Sequence, residues 1–273
     1  MTYQRIIRGI LTGTFLLTTI LHADAFKLNK LKLSKEDRPP VDYTAWADTA
    51  DIPSEADGMK ICYPATDAET GHATVAAEFP VSGMTPQQIF MAAMVYAAAN
   101  FNPENEEGFL EYDYDGNRFA ILLKSTQGTN NKETTYRRRL DIAASEEVLR
   151  IVASDITARY REKGIIPRTV ELESLHPEAN NRHKELLSEF SAINTAYLHA
   201  MAGYVASRTD IKAGDFSPLK AGRVMTGMTE DEVIIILGAP LETRRSADKH
   251  RWIYSDQTVV IFTDGKVTKF LEP

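Results

Sequence analysis

Residues 224–270 constrain the fold more than any other part of the chain, because they combine one capped helix with closely spaced short strands. Thr229 is followed three positions later by Glu232, which is the spacing of a capping box at a helix start. Gly238 suits the end of that helix, and Asp264-Gly265 marks a tight hairpin turn. The segment contains no nucleophile, metal-ligand set or phosphate loop, so it points to a binding role rather than to catalysis.

The strand patterns of this segment predict a small sheet behind the helix. Alternation along a strand places Trp252 and Tyr254 on the same face. Because one helix on a small meander buries little apolar area, the contact between helix and sheet must supply most of the stability of this module. Four short strands are expected, at 241–245, 250–255, 257–263 and 266–270.

A second capping box starts a helix in the front half of the chain. Thr85 and Gln88 have the same spacing, and Pro86 suits the first helical position. The predicted helix runs to about Asn100 and is apolar on nearly every side over 89–99. We therefore expect it to be buried on more than one side.

Strand patterns on both sides of Asp115-Gly116, a hairpin signal, predict an antiparallel sheet in the front half. A long amphipathic helix follows, from Pro177 to about residue 206. The predicted fold class is α+β, with an antiparallel sheet covered by two helices and followed by the small helix-and-meander module. The strands of the front sheet are expected at 73–79, 108–114, 117–124, 134–142 and 148–158.

The first 25 residues have the features of a secretory signal peptide. Arg5 and Arg8 precede an apolar run over 10–21, and Ala23-Asp24-Ala25 fits the small-x-small cleavage rule. The run is shorter than the roughly 20 residues that a membrane-spanning helix needs, so no transmembrane segment is expected after cleavage. The lone cysteine, Cys62, lies far from the cleavage point, so we predict an exported protein, periplasmic or associated with the outer membrane, that is not a lipoprotein.

The chain that remains after removal of 1–25 is acidic. It has 29 Lys and Arg against 37 Asp and Glu, and this balance disfavours nucleic acid as a partner. A single cysteine allows no internal disulfide, so ordinary cores must hold the fold.

The remaining chain divides by composition into four segments. They are an extended lead-in at 26–58, an α+β domain at 59–207, a linker at 208–221 and a second domain at 222–273.

Four groups of residues near the end of the chain carry a family resemblance: Gly227-Met228-Thr229, Leu237-Gly238-Ala239-Pro240, Trp252 with Tyr254, and Phe262 with Gly265-Lys266-Val267. Through these elements, residues 222–270 resemble the SmpA/OmlA family of outer-membrane assembly lipoproteins. The resemblance implies helices packed on a three-stranded antiparallel meander and a function in binding proteins of the periplasm. The chain differs from the family in lacking a lipobox cysteine and in carrying a large domain in front.

A second resemblance is carried by Phe79-Pro80-Val81-Ser82-Gly83, then Gln88-Ile89-Phe90, and the long closing helix. Through these elements, residues 73–206 look like an exported domain that is thought to fold like the TATA-box-binding protein. The resemblance implies a fold and no activity. The acidic charge and the export signal argue against DNA binding by this domain.

Several local patterns are weighed for metal or ligand binding. Asp113, Asp115 and Asn117 have the spacing of a calcium loop, but the required glycine and glutamate are replaced by Arg118 and Lys124, which favours a simple hairpin. His176 and His183, near Glu178 and Glu185, lack a third spaced ligand and are expected to be solvated residues at a helix start. We predict no metal site and no cofactor.

Two further features are interpreted as structural. Within Arg137-Arg138-Arg139, strand alternation sends the outer two side chains to one face and Arg138 to the other. A solvated or charge-guarded strand is the expected role, and an anionic ligand such as a lipid headgroup is the alternative. Cys62 has no neighbouring histidine and is expected to be a buried, inert thiol.

These observations predict a non-enzymatic protein of the cell envelope that acts through protein–protein interaction, with envelope proteins as partners and a role in envelope or outer-membrane assembly. Interface anchors are rich in aromatic residues and arginine. Two alternatives remain open: a lipid or small-molecule carrier with an apolar pocket between the two front helices and their sheet, and a secreted enzyme inhibitor. The predicted protein-binding residues are Trp252, Tyr254, Arg251, Arg244 and Arg245.

Overall fold

A computed structural model describes most of the chain beyond the predicted lead-in, and all described residues belong to one compact unit, Val41–Pro273. The predicted signal peptide at 1–25 lies outside the described residues, as does the lead-in at 26–58 except for two residues. The described residues are 55–56, 59–67, 69–128, 133–161, 166–177, 180–212, 214–246 and 248–273.

The front half is built on one antiparallel sheet of seven strands. A separate pair, β1 (Glu55–Ala56) and β2 (Met59–Lys60), precedes it. The seven strands are β3 (Ala65–Thr66), β4 (Ala73–Pro80), β5 (Gly108–Asp113), β6 (Arg118–Gln127), β7 (Thr134–Ser145), β8 (Val148–Tyr160) and β9 (Arg168–Glu171). Their spatial order is β3-β4-β8-β7-β6-β5, and β9 pairs with the end of β8 beyond β4.

Four α-helices occur in the described part of the chain. They are α1 (Pro86–Asn100), α2 (Asn181–Ser207), α3 (Ser217–Lys220) and α4 (Glu230–Leu237). Both predicted capping boxes are present, at Thr85 with Gln88 and at Thr229 with Glu232. Helices α1 and α2 cover one face of the seven-stranded sheet, which confirms the predicted α+β class with a large antiparallel sheet.

Helix α1 is buried on several sides, as its sequence predicts. It contacts β5 to β8 on one side, α2 on another and α4 on a third. An ordinary amphipathic stripe would leave one face in water, so a helix with three packed neighbours must be apolar nearly all round. Its buried residues are Ile89, Phe90, Met91, Ala92, Ala93, Met94, Val95, Ala97 and Ala98.

The rear module is a single helix, α4, on a four-stranded antiparallel meander. The strands are β10 (Glu242–Ser246), β11 (Lys249–Ile253), β12 (Val259–Thr263) and β13 (Lys266–Leu271). The three-stranded sheet implied by the family resemblance is therefore wrong in number. The strand predicted at 241–245 pairs with β11 along its whole length, so it adds a fourth strand to the meander.

Helix α4 belongs to two cores at once. Ile235 is buried in the front core, and Val233 is buried in the rear core with Trp252 and Phe262. Ile234 and Ile236 pack against both. The small module therefore gains apolar burial from α1 in addition to its own sheet, which offsets its limited size.

The predicted linker at 208–221 is packed against the front core. Ile211 and Leu219 are buried, and the Gln88 side-chain amide donates to the Ile211 carbonyl oxygen at 2.9 Å. Phe216 packs edge-on against Phe90 of α1. These contacts fix the segment that joins α2 to α4.

A β-bulge between β7 and β8 lies beside the one buried arginine among the described residues. Arg138 stands opposite Asp155 and Ile156, and Asp155 has a left-handed φ of 49°. Alternation correctly separates Arg138 from Arg137 and Arg139, but the expected solvated role is wrong for Arg138, which is 1% exposed because its face of the strand is covered by the helices. Its Nη1 donates to Ser125 Oγ at 3.0 Å, and its guanidinium lies 5.8 Å from the centroid of the Tyr197 ring.

The environment of Arg138 is unfavourable for a charge. No carboxylate of the described residues lies within 4.0 Å, and its Nε has no hydrogen-bond partner there. Desolvation by burial lowers the pKa of Arg138 to about 10. A buried cation without an ion-pair partner costs stability, because no adjacent counter-ion offsets the hydration that it loses.

The end of α4 generates a first testable prediction. Gly238 has φ 77° and ψ −167°, a region almost confined to glycine, and an added Cβ would lie 3.4 Å from the Ala98 carbonyl oxygen of α1. We expect Gly238→Ala to lower the free energy of unfolding by about 1–3 kcal/mol in urea titrations. Gly203→Ala, in α2, is the control. No atom lies within 4 Å of its added Cβ, so it should be neutral or gain about 0.4–1 kcal/mol. Equal effects of the two substitutions on the free energy of unfolding would contradict the conclusion that the backbone conformation at position 238 requires glycine.

Arg138 generates a second prediction. Arg138→Met keeps much of the side-chain volume and removes the unpaired charge, so we expect the free energy of unfolding to be unchanged or to rise by about 1–3 kcal/mol. Arg138→Ala leaves a cavity and should lose about 2–4 kcal/mol. Urea titrations of both variants at neutral pH make the comparison. A large loss in the methionine variant would show that the guanidinium stabilises the fold.

Candidate functional site

The five residues predicted to bind a partner separate into two groups. Trp252 and Tyr254 are 7% and 8% exposed and lie in the rear core, where Trp252 packs against Phe262 with 4.6 Å between ring centroids. The three arginines Arg244, Arg245 and Arg251 are exposed. The aromatic pair therefore stabilises the module, and only the arginines present themselves to a partner.

Tyr254 connects the rear sheet to the end of α4. Its hydroxyl donates to the Gly238 carbonyl oxygen at 3.3 Å, and burial raises the pKa of Tyr254. A hydroxyl held in this way is occupied in supporting the helix end, which leaves it unavailable for docking.

The face of the four-stranded sheet turned away from α4, called the outer face below, carries three rows of side chains. Paired residues of antiparallel strands share a face, so the register defines the rows. The first row is Glu242, Ile253, Val259 and Leu271, the second is Arg244, Arg251, Ile261 and Lys269, and the third is Ser246, Lys249, Thr263 and Lys266.

No other element of the described chain covers the apolar residues of the outer face. Ile253, Val259 and Ile261 are partly exposed, and Leu271 is 40% exposed. Leu241, directly before β10, is 75% exposed. A contiguous apolar strip of this kind, framed by polar groups, is typical of an interaction surface.

The charges of the outer face are mostly positive, although the protein as a whole is acidic. Lys249, Arg251 and Lys269 are exposed and have no ion-pair partner in the described part of the chain. Glu242 is the acid of the three rows, and it accepts from Arg244 Nε at 2.6 Å. The excess of cations is a local property of this face.

The two edges of the four-stranded sheet differ in their accessibility. At β13, the residues before α4 bind the strand: Gly227 N donates to the Val267 carbonyl at 2.8 Å, and Val267 N donates to the Met228 carbonyl at 2.8 Å. Strand β10 pairs only with β11 among the described strands, and all five of its residues are exposed. The start of the β13 edge is thus capped, and the β10 edge is free among the described residues.

A concave region lies on the face of the seven-stranded sheet that is turned away from α1 and α2. Its volume is about 460 Å³, and small residues such as Ala120 and Ala143 form part of its floor. The charges around it are largely paired with one another: Arg139 binds Asp141 and Glu111, and Arg118 Nε binds Asp113 Oδ2 at 2.7 Å. This internal pairing leaves few free charges to recognise a ligand.

A larger groove of about 710 Å³ lies between the end of α2 and the start of α4. Arg208 Nη2 binds Asp231 Oδ2 at 2.8 Å, and His250 Nδ1 lies 2.7 Å from Glu230 Oε1. These contacts hold the start of α4 in place, so the groove serves the packing of the two modules.

The patterns weighed for metal binding have structural partners. Asp113 Oδ1 accepts from Gly116 N at 2.9 Å in the hairpin turn, and His183 Nδ1 accepts from the His176 amide at 3.0 Å. Glu178 lies outside the described residues. No group of three or more histidine, cysteine, aspartate or glutamate side chains in the described ranges is arranged to hold a metal ion.

Cys62 is half-buried, its amide donates to Thr195 Oγ1 at 2.9 Å, and desolvation raises the pKa of its thiol.

Within the described ranges, none of the helices is both long enough and apolar enough to cross a lipid bilayer.

Sequence reasoning missed the apolar part of the outer face. Ile253, Val259 and Ile261 alternate with the buried Trp252, Val260 and Phe262, so both faces of these strands are apolar. That double pattern was the available signal. It shows that the sheet has two apolar faces, while the single helix α4 can cover only one of them.

His183 generates a prediction about pH. Desolvation, and then the proximity of His176, lower the pKa of His183 from its ordinary value of 6.5. The unfolded chain therefore binds the proton more tightly, and this residue's contribution to stability is lost as the pH falls from about 6.5 through the lower pKa of the folded state. We expect His183→Asn, whose amide oxygen can still accept from His176, to lose less stability between neutral pH and pH 5 in urea titrations. An unchanged pH dependence would contradict this role.

The comparisons with known proteins concern the fold. No protein-family model matches the chain, and no curated protein matches it. A TBP-like protein from Parabacteroides distasonis is 14% identical over 52% of this chain and 97% of that one, with a TM-score of 0.45. A DUF4468 family protein from Bacteroides ovatus is 13% identical over 56% of this chain and 90% of that one, with a TM-score of 0.37. The first is of the kind that residues 73–206 resemble by sequence, and the SmpA/OmlA resemblance of residues 222–270 stays a prediction.

Proposed function

We propose that this chain is a non-enzymatic, exported protein of the cell envelope that acts through protein–protein interaction, and that the outer face of the rear module is its docking surface. The observation that carries the proposal is the uncovered apolar strip of Ile253, Val259, Ile261 and Leu271 beside unpaired cations. Burial of such a strip by a partner is favourable because it removes apolar area from water.

The charges define the kind of partner. Arg251, Lys249 and Lys269 surround the strip and form no ion pair with any described residue, so a complementary surface presents acidic groups around an apolar centre. The apolar side chains are half-buried in the surface of the sheet instead of projecting from it. This shape suits a flat protein surface better than insertion among lipid chains.

The carrier alternative rested on the apolar character of α1. Packing against the sheet, α2 and α4 accounts for that character without a ligand. The two concave regions described above are lined by charged groups, and both lie away from the space between α1, α2 and the sheet. Protein docking is therefore the better supported proposal.

A photo-crosslinking amino acid placed at Lys269 in cells tests the proposal. We expect it to capture one defined envelope protein, and the same amino acid at Arg159, an exposed strand residue of the seven-stranded sheet, to capture none of it. The captured protein is then purified for binding measurements. Capture of lipid alone, or of a second copy of this chain alone, would sink the proposal.

Charge reversal gives the quantitative arm of the test. Arg251→Glu should weaken binding of the purified partner at least tenfold, which is about 1.4 kcal/mol, because an attraction becomes a repulsion. Arg159→Glu changes the net charge equally at a distant strand and should leave the affinity unchanged. Similar losses in both variants would mean that total charge, and not the outer face, controls the interaction.

A further inference from the structure

We infer that the partner binds by adding a strand to β10, and that this strand is an extended, acidic segment. The inference rests on the proposed function, which it makes specific in binding mode and in partner chemistry. It starts from the unequal edges of the four-stranded sheet.

An exposed edge strand offers a row of unpaired backbone donors and acceptors to another chain. In the rear sheet, residues 227–229 engage the start of this row on β13, through hydrogen bonds to Val267 and a bridge between Thr229 and Lys266. Strand β10 has no such cover among the described residues, and all its side chains are exposed. A strand that extends the sheet can therefore pair along the whole of β10, whereas at β13 the positions of Lys266 and Val267 are already engaged.

Arginines at the edge have a simpler explanation, since charged side chains commonly prevent edge strands from aggregating. A guard needs charges only on the edge strand itself. Here cations also lie away from the edge, at Arg251 on β11 and Lys269 on β13, with Ile261 of β12 between them in the same row of the outer face. Their position indicates recognition of a partner that covers the face as well as the edge.

The two arginines of β10 define the sequence of the added strand. Arg244 and Arg245 are adjacent, so they point to opposite faces of the sheet. Arg244 is partly neutralised by Glu242, whereas Arg245 has no ion-pair partner in the described chain. An incoming strand with acidic side chains can meet Arg245 on the inner side of the edge and the cationic row on the outer side. A cationic strand would be repelled by the cations of the outer face.

The first test uses a short synthetic peptide of alternating valine and glutamate, with capped ends, and residue-resolved amide hydrogen exchange of the full chain. We expect the outward-facing amides of β10 to exchange at least about tenfold more slowly with saturating peptide, and the amides of β13 to stay unchanged. The matching valine–lysine peptide should protect neither strand. Protection of β13, or equal protection by both peptides, would overturn the inference.

The second test removes backbone donors one at a time. Successive amides of a strand point to opposite sides, so one of Thr243→Pro and Arg244→Pro removes an outward donor and leaves the pairing with β11 intact. We expect the variant that keeps its unfolding midpoint to bind the crosslinked partner at least tenfold more weakly. Unchanged binding in that variant would overturn strand addition.

The two levels of the proposal fail differently. Suppose that Arg251→Glu weakens binding of the purified partner, while the amides of β10 exchange equally fast with and without that partner. The outer face is then the docking surface, and strand addition is wrong. If neither the charge reversal nor the proline changes binding, the outer face itself is the wrong site. Slower amide exchange in β10, together with weaker binding by both variants, supports the outer face as the docking surface and strand addition as the binding mode.

Discussion

The packing of α1 against α4 is the interaction on which the rest of the structure depends. Helix α1 lies between the seven-stranded sheet and the rear module, and α4 contributes Ile235 to one core and Val233 to the other. Interiors of this kind are close-packed, so the two helices hold their modules as one unit. The glycine that ends α4 approaches the backbone of α1 at Ala98, which places the turn into the rear sheet directly over the front core.

This arrangement decides which surfaces remain open. Both helices of the front core lie on one face of the seven-stranded sheet, and the rear sheet uses its α4 side for the contact with the front half. Within the described residues, no element covers the other face of either sheet. On the front sheet, charges of that face are paired to one another, as at Arg139 and Asp141. On the rear sheet it is apolar with unpaired cations, and this difference makes the outer face the better docking surface.

Part of the candidate site follows from the sequence and part does not. Arg244 and Arg251 were predicted from the richness of interfaces in arginine, and both lie on the outer face. Trp252 and Tyr254 were selected for their aromatic character, yet their large apolar surface is what the small core needs. In a module with so little interior, the largest side chains are recruited to the core, and smaller residues such as Ile253 and Val259 are left outside.

The sequence by itself determined the local structure. The capping boxes at Thr85 and Thr229 defined both helix starts, the all-round apolar character of α1 required several packed neighbours, and alternation separated Arg138 from Arg137 and Arg139. Only the tertiary structure decided which face of the rear sheet α4 covers and where the two cores join. The physical reason is that periodicity fixes which side chains share a face, while the side that becomes interior depends on contacts between residues far apart in the chain.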